Sequence, residues 1–571
     1  MKTTTLRQRL TDALTAALGR LYSDGFLEGD APAIQLTPPK QESHGDFACN
    51  VALALAKPAK RNPREIATQL VEQLGDADGL LERVEIAGPG FINLFVAPAA
   101  WHKTLSNILA AGADHIRSEH GEGRRILLEY VSANPTGPLH VAHGRGAVTG
   151  DVLANLLDAA GFAVEREFYV NDLGHQVDVL ARSIHVRYRE LFGQHPKHPE
   201  DFYPGEYVKE IAEVLRQELG DAHLESDEDQ WLATFRQRGV DRMLDRVRAD
   251  LEAFGVRFDR FVSERALVES TDLVGMADEL EAKGMVYEQE GKKWFRSTDF
   301  GDDKDRVVVR EDGRTTYFCS DLAYHRDKMS RGFERLINVW GADHGGYIAR
   351  VKAGLSAFGY DPDALEIVLI QMVSLTRGGE AVRMGKRLGT AVWLRDVVNE
   401  AGKDATRYFF LLRRSDSQFD FDLDLATQKS LDNPVYYAQM GHARLCSMIA
   451  KAAEQGVPQA LDGEGALDAL TLPEELTLIK MMSRAPEVVV AAAESREPHQ
   501  VVFYVQELIA LFHSYYTRYS ATERVISDDA AKTRARLLLC GALRTTLAAL
   551  LAVLGVDAPE RMSLGAADEE R

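Results

Sequence analysis

Cysteine is scarce in this chain: four in 571 residues, Cys49, Cys319, Cys446 and Cys540, far apart and without a CxxC pair. That carries no disulfide framework and reads as reduced thiols packed inside a cytoplasmic protein. No run of 18 apolar residues occurs, and the opening MKTTTLRQRL leads into no apolar h-region. Neither a membrane span nor a secretory leader is therefore expected. Positive charge is in deficit, with 67 Lys and Arg against 87 Asp and Glu, a net −20. This argues against indiscriminate nucleic-acid binding but leaves room for a local basic face. Otherwise the composition is ordinary, 45% hydrophobic and 27% charged, and the length suits several domains.

What the chain does contain is concentrated between Arg125 and Gly161. Ile126–Val131 is an apolar run of strand length. A turn-rich segment follows from Ser132 to Gly146. Val148, Val152, Leu153, Leu156 and Leu157 then recur at helical spacing, with Gly161 at the C′ position. The reading is strand, loop, helix, with Gly144 and Gly146 just ahead of the helix N-terminus. Such a terminus offers unpaired N–H groups and partial positive charge to a phosphate. His140 and His143 fall at this junction. A His-x-x-His pair also occurs in zinc sites and on surfaces, but no cysteine lies nearby, and no Glu follows the first His as in His-Glu-x-x-His. Imidazole donors placed here would stabilise charge that shifts at an α-phosphate.

Three units are expected. Residues 1–110 read as an α/β domain containing the strand Phe91–Val96, in which Asn93 should face solvent. Residues 120–425 alternate strands and helices. Val164–Val170 completes a right-handed βαβ that ends at Asn171-Asp172, where ligands of open α/β sheets collect. Residues 174–256 are helical. Val307–Val309 and Thr315–Phe318 flank Glu311-Asp312-Gly313-Arg314 as a hairpin, followed by a helix bearing Tyr317, Asp321, Tyr324 and His325. Leu336–Trp340 is a strand running into Gly341-Ala342-Asp343-His344, and Ile367–Val373 is another. The glycine-rich stretch Arg377–Arg387 fails as a Walker A motif, because Glu380 stands where glycine is needed and Arg387 replaces Ser or Thr. Its adjacent cations, Lys386 and Arg387, suit phosphates that depart. Residues 432–571 read as a helical bundle. Its line Phe503, Tyr504, Phe512, Tyr515, Tyr516, Tyr519, with Arg518 and Arg524, offers stacking to RNA, although half or more of the rings belong in a core.

Taken together, Ser132-Ala133-Asn134-Pro135-Thr136-Gly137-Pro138-Leu139-His140-Val141-Ala142-His143-Gly144-Arg145-Gly146 resembles the His-x-Gly-His region of bacterial arginyl-tRNA synthetases, a class I aminoacyl-tRNA synthetase family. Met384-Gly385-Lys386-Arg387 is similar to their Lys-Met-Ser-Lys loop. Gly45–Ala48, Asp420–Asp424, Tyr436–Arg444 and Ala558–Met562 also match, so the likeness spans nearly the whole chain. Ala142 replaces the usual Gly and Gly385 the usual Ser, adding a methyl in one place and removing a hydroxyl in the other.

The resemblance implies a Rossmann-like catalytic domain with helical and β insertions. On one side stands an N-terminal α/β domain at the tRNA elbow, and on the other a C-terminal helical bundle at the anticodon. It implies activation of L-arginine by ATP and Mg²⁺ to arginyl-adenylate, then transfer to the terminal 2′-hydroxyl of tRNA(Arg), with tRNA needed for activation. A cytoplasmic monomer with no membrane contact and no protein metal site is expected. His140, His143 and Lys386 are the implied catalytic groups, joined around ATP by Gly144, Gly341, Asp343, Met384 and Arg387. Glu129, Ser132, Asn134, His143, Tyr317, Asp321 and His344 are implied around arginine. Asp321 is favoured for the guanidinium because it lies one turn beyond Tyr317 on the same helical face. The competing role is support of its own helix through Arg326 or Lys328 at the surface. Two other functions compete: a different class I synthetase or nucleotidyltransferase, and a non-catalytic RNA-binding paralogue. The second would be expected to lose His140, His143 or Lys386, and all three are present.

Overall fold

The computed structural model describes residues 5–39, 41–382, 392–457 and 467–563. Met384, Gly385, Lys386 and Arg387 lie outside them. Near the N-terminus, helices Leu6–Ser23, Val51–Ala59 and Pro63–Leu74 accompany an antiparallel sheet. Its strands run Leu36–Thr37, Phe47–Cys49, Phe91–Val96, Leu81–Ala87 in spatial order. Ile92, Asn93 and Leu94 are all buried. That is the mark of an inner strand covered on both faces, so Asn93 does not face solvent.

The central sheet is built from β1 (Arg125–Glu129), β2 (Ala163–Val170), β3 (Arg260–Ser263), β4 (Arg335–Gly341) and β5 (Leu365–Ile370). All pairings are parallel and the order is β5-β4-β1-β2-β3. This is the doubly wound order, whose switch point lies between β1 and β4, where ligands seat beyond the strands' carboxyl ends. Ile126, Leu127 and Leu128 are 0–1% exposed, as an inner parallel strand requires.

β1 leads through the Ser132–Leu139 loop into helix α1 (Val141–Ala159), with His140 at its N-cap. Gly144 and Gly146 thus lie inside the first two turns, not ahead of them. Gly144 answers a packing need: a Cβ there would stand 2.6 Å from Leu394 Cδ1. Gly161 follows the C-cap with φ +92°.

Between β2 and β3, helices His175–Glu190, Glu206–Leu219 and Glu228–Ala253 enclose a core of Leu180, Ile184, Tyr188, Trp231 and Phe235. Between β3 and β4 comes a small antiparallel sheet of Arg306–Val309, Lys292–Phe295 and Val286–Gln289. Thr315–Phe318 is not its partner strand, since only a single Val309–Thr315 bridge forms. Thr316 instead caps helix α2 (Tyr317–Ser330), its hydroxyl accepting the Cys319 N–H at 3.4 Å. The cap outcompetes the alternating pattern.

Helices Pro434–Glu454, Pro473–Ser483, Ala485–Ser495, His499–Tyr519 and Ala530–Val553 make the C-terminal bundle. Tyr504, Phe512 and Tyr515 are buried in it, whereas Phe503 is exposed. Ala530–Val553 is long and apolar enough to span a bilayer by composition, yet 67% of its most apolar window is buried within the molecule.

Candidate active site

The carboxyl ends of β1 and β4 gather two clusters. The first is the histidine corner at the start of α1. Val141 N–H donates to Val392 O at 3.1 Å, Leu394 N–H donates to Leu139 O at 2.8 Å, and His140 bridges Trp393. The chain that follows residue 391 is thereby stitched to the histidine motif. The His140 and His143 rings stack with centroids 3.6 Å apart. His143 Nδ1 accepts the His140 N–H at 3.3 Å, which assigns the proton to Nε2 and makes that nitrogen a donor. Behind the corner Arg145 is fully buried, donating to Gln371 O at 3.1 Å, Ser417 O at 2.7 Å and Arg414 O at 2.7 Å. Burial pulls its pKa down to about 10, so it stays charged while fastening α1 to the chain beyond β5.

The second cluster begins where β1 ends. Val131 and Ser132 both hold left-handed backbone, φ +67° and +41°. For a β-branched residue this is costly, about 1–3 kcal/mol. The turn is held by three contacts of Ser132. Its hydroxyl donates to Glu129 Oε1 at 2.8 Å and accepts Tyr169 N–H at 3.1 Å, and its carbonyl accepts Asn171 Nδ2 at 3.2 Å. The strained turn delivers Asn134 to the rim, where its amide donates to Gln176 Oε1 at 2.7 Å.

Opposite this turn stands Asp321 on α2, half-buried and accepting the Tyr347 hydroxyl. Burial, aided by the charge of Glu129, pushes its carboxyl up to about 6. It pairs with neither basic neighbour on its helix: Arg326 reaches Glu279 at 2.9 Å, and Lys328 is buried against Glu129. The surface pairing considered from sequence is absent. Glu264, at the end of β3, is 5% exposed. Burial, with Asp321 and Asp172 adding repulsion, pushes it up to about 7. Asp172 is occupied, accepting Ser263 Oγ at 2.6 Å and Arg265 N–H at 2.9 Å. The Tyr169 hydroxyl is buried here without a hydrogen-bond partner among the described residues. Burial and the surrounding carboxylates raise its pKa. Tyr317 is 58% exposed and its hydroxyl overlies Gly174, whose φ is +97°, and a Cβ there would come within 2.4 Å of it. Asp321, Glu264 and Tyr169 thus put two carboxyl groups and a phenol at one place, a set that suits a cation rich in hydrogen-bond donors. A guanidinium, planar and rich in donors, matches that set.

Asp343 and His344 are both exposed in the turn Ala342–Tyr347 after β4, with 3.8 Å between His344 Nε2 and Asp343 Oδ2. They border an open cavity of about 610 Å³ together with Asp302, Arg306, Tyr347 and Arg350. His344 does not join the acidic cluster; Tyr347, three residues on, does. Gly341 closes β4 beneath them, where a Cβ would meet Asp343 Oδ1 at 2.5 Å. Sequence reasoning missed Glu264, Tyr169 and Tyr347. The one available signal for Glu264 was Ser263-Glu264 at the mouth of a helix just after a strand.

Residues 104–449 match the catalytic domain of tRNA synthetases class I (R), residues 4–96 the arginyl tRNA synthetase N terminal domain, and residues 438–562 the DALR anticodon binding domain. An arginine–tRNA ligase of Syntrophotalea carbinolica is 48% identical over 558 residues, covering 98% of this chain and 100% of the relative. One from Anoxybacillus flavithermus is 45% identical, covering 98% and 99%. The solved arginyl-tRNA synthetase of Thermus thermophilus shares the fold, with a TM-score of 0.74 at 23% identity over 97% of this chain and 100% of that one. The chain belongs to the arginyl-tRNA synthetase family, the class I arginine–tRNA ligases.

Proposed function

We propose that the cleft between the histidine corner and the acidic cluster activates L-arginine with ATP and passes the arginyl group to the 2′-hydroxyl of the terminal adenosine of tRNA(Arg). The observation that carries this reading is the cluster of Asp321 and Glu264 with Tyr169 and Tyr347, which lies in the same domain as a helix N-terminus capped by His140. The guanidinium would sit on Asp321 and Glu264, with Tyr169, Tyr317 and Tyr347 around it. Ser132 and Asn134 would shape the α-amino end, with Glu129 acting through Ser132 and His344 at the rim. The substrate carboxylate would then attack the α-phosphorus, releasing pyrophosphate. His140 and His143, with the α1 N-terminus and Gly144, would stabilise the oxygens there, while Lys386, Met384 and Arg387 would meet the departing phosphates. Gly341 and Asp343 would border the nucleotide. Mg²⁺ would arrive on the phosphates of ATP, and no residue of this chain is assigned to it. The tRNA hydroxyl would finally attack the adenylate carbonyl and expel AMP. Charging assays with each of the twenty amino acids, and arginine-dependent ATP–pyrophosphate exchange with and without tRNA, test the reading. Charging of another amino acid in preference to arginine would overturn it.

The raised carboxyls give the pocket a pH dependence of definite sign. Glu264 rises from 4.5 to about 7, so the folded chain holds its proton longer than the unfolded one. Stability from this group is therefore lost as pH climbs from about 4.5 through about 7. A bound guanidinium favours the ionised form and acts in the opposite sense. The melting temperature of the enzyme alone should fall between pH 5.5 and 8, while the increment given by arginine grows and the arginine KM drops. Glu264→Gln should remove most of that slope, measured by thermal melts and charging kinetics across the range.

We further assign residues 1–110 to the tRNA elbow, 120–425 to chemistry and 432–571 to the anticodon, in a cytoplasmic monomer. Phe503 and Arg518 are exposed on the bundle. Alanine at either should weaken tRNA binding with the fold intact, and slow adenylate formation only while tRNA is limiting. A loss that saturating tRNA does not restore would count against this division.

A further inference from the structure

Tyr317, Asp321, Tyr324 and Lys328 form one stripe along α2. Asp321 serves the acidic pocket, whereas Lys328, two turns further, is wholly enclosed with its side chain 0% exposed. Its ammonium is fully committed. It pairs with Glu129 Oε2, donates to Asn338 Oδ1 at 3.1 Å and lies 4.2 Å from the centroid of the Tyr324 ring. Glu129 and Asn338 are register partners across β1 and β4. The second oxygen of Glu129 takes the Ser132 hydroxyl. On the other side, Asn338 Nδ2 donates to His325 Nε2 at 3.1 Å, and His325 Nδ1–H donates to Asp321 O at 2.9 Å. Burial holds His325 down at about 3, so it is neutral, as this tautomer requires. An unbroken polar chain thus runs from the backbone of Asp321 through His325, Asn338, Lys328 and Glu129 to the strained turn at Ser132.

A buried ion pair gives little stability beyond what packed apolar side chains of the same volume would give. What it fixes is geometry. We infer that Lys328 is a positioning residue that sets the separation between Asp321 and the Val131–Ser132 turn, and thereby the length of cationic side chain the enzyme accepts. The inference rests on the reading that Asp321 receives the guanidinium.

The test is aminoacylation of tRNA(Arg) with arginine and with homoarginine, one methylene longer. It compares the wild type, Lys328→Met, the double variant Lys328→Met with Glu129→Gln, and Asp321→Asn. Lys328→Met should raise the arginine KM about tenfold or more, leave the ATP KM within about threefold, and shrink the preference for arginine over homoarginine about tenfold. The double variant leaves no uncompensated buried carboxylate, so it should regain thermal stability while the preference stays narrowed. A lysine with a purely structural role would lower Tm and maximal rate but leave KM and preference untouched. That result would overturn the proposal. So would recovery of preference together with stability in the double variant, or failure of both variants to fold. Asp321→Asn is the separate control: if it charges arginine like the wild type, the guanidinium reading itself fails, whatever Lys328 does.

Discussion

Asp321→Asn is expected to lower kcat/KM for arginine by roughly 30-fold to several thousand-fold, the roughly 2–5 kcal/mol that removing one partner of a buried charge pair at an interface costs. The substitution keeps shape and removes charge. Asp321 lies beside Glu264 in a pocket where burial already pushes both carboxyls up, to about 6 and about 7. Burial comes first among the causes of both shifts, with carboxylate repulsion added, and a bound guanidinium would favour the ionised forms. With a neutral residue at 321, the guanidinium loses a desolvated counter-charge that water cannot replace. Citrulline, isosteric and uncharged, should gain relative to arginine. Thermal stability should hold or rise slightly, because the change relieves repulsion in the unliganded pocket. A helix-supporting role predicts the reverse, lost stability with charging intact, and the two basic neighbours on its helix are engaged elsewhere: Arg326 is on Glu279 and Lys328 on Glu129. If the variant charges arginine within a few-fold of wild type, Asp321 is not the specificity determinant and Glu264 takes its place as the candidate.

How much of this was legible depended on whether the signal was local. The β1–α1 unit could be read because an apolar run, a turn and a 3.6-residue period lie next to one another. Asp321 could be put on one face of α2 with Tyr317 because the two lie one turn apart. The error at Thr315–Phe318 was also local: β-favouring residues were read as strand, while Thr316 spends its hydroxyl on capping α2. The left-handed Val131 and Ser132 were illegible in principle. No propensity places a β-branched residue at positive φ, and the turn survives on contacts from Glu129, Tyr169 and Asn171. Glu264 escaped for a similar reason, since only the parallel pairing of β2 and β3 brings it toward Asp172 and Asp321. Lys328 was misjudged in the opposite way. Considered singly it looked like a surface lysine, yet it lies one turn beyond the buried Tyr324, where the stripe turns inward.

Lys386→Ala should reduce the maximal rate of arginine activation by about 10²-fold or more, the scale of losing one preorganised charge stabiliser. Residue 386 itself lies outside the described part of the molecule, but both neighbouring stretches are anchored. Val382 N–H donates to Leu375 O at 2.8 Å, and Val392 and Trp393 pair with Val141 and His140. The described residues on either side, Val382 and Val392, thus lie against the Val373–Arg377 strand and the start of α1, and the latter is the place assigned to the α-phosphate. Charge on pyrophosphate grows as its bond to the α-phosphorus breaks. A cation there is worth more in the transition state than in the ground state, and its loss should appear in the rate constant rather than in nucleotide affinity. Gly385, which lacks the usual serine hydroxyl, offers no side-chain donor to share that work, so the burden falls on Lys386 and Arg387. Single-turnover measurement of adenylate formation at saturating tRNA separates the two effects. A variant that turns over at the wild-type rate and merely raises the ATP KM would mean that this lysine binds nucleotide and does not assist the departure of pyrophosphate.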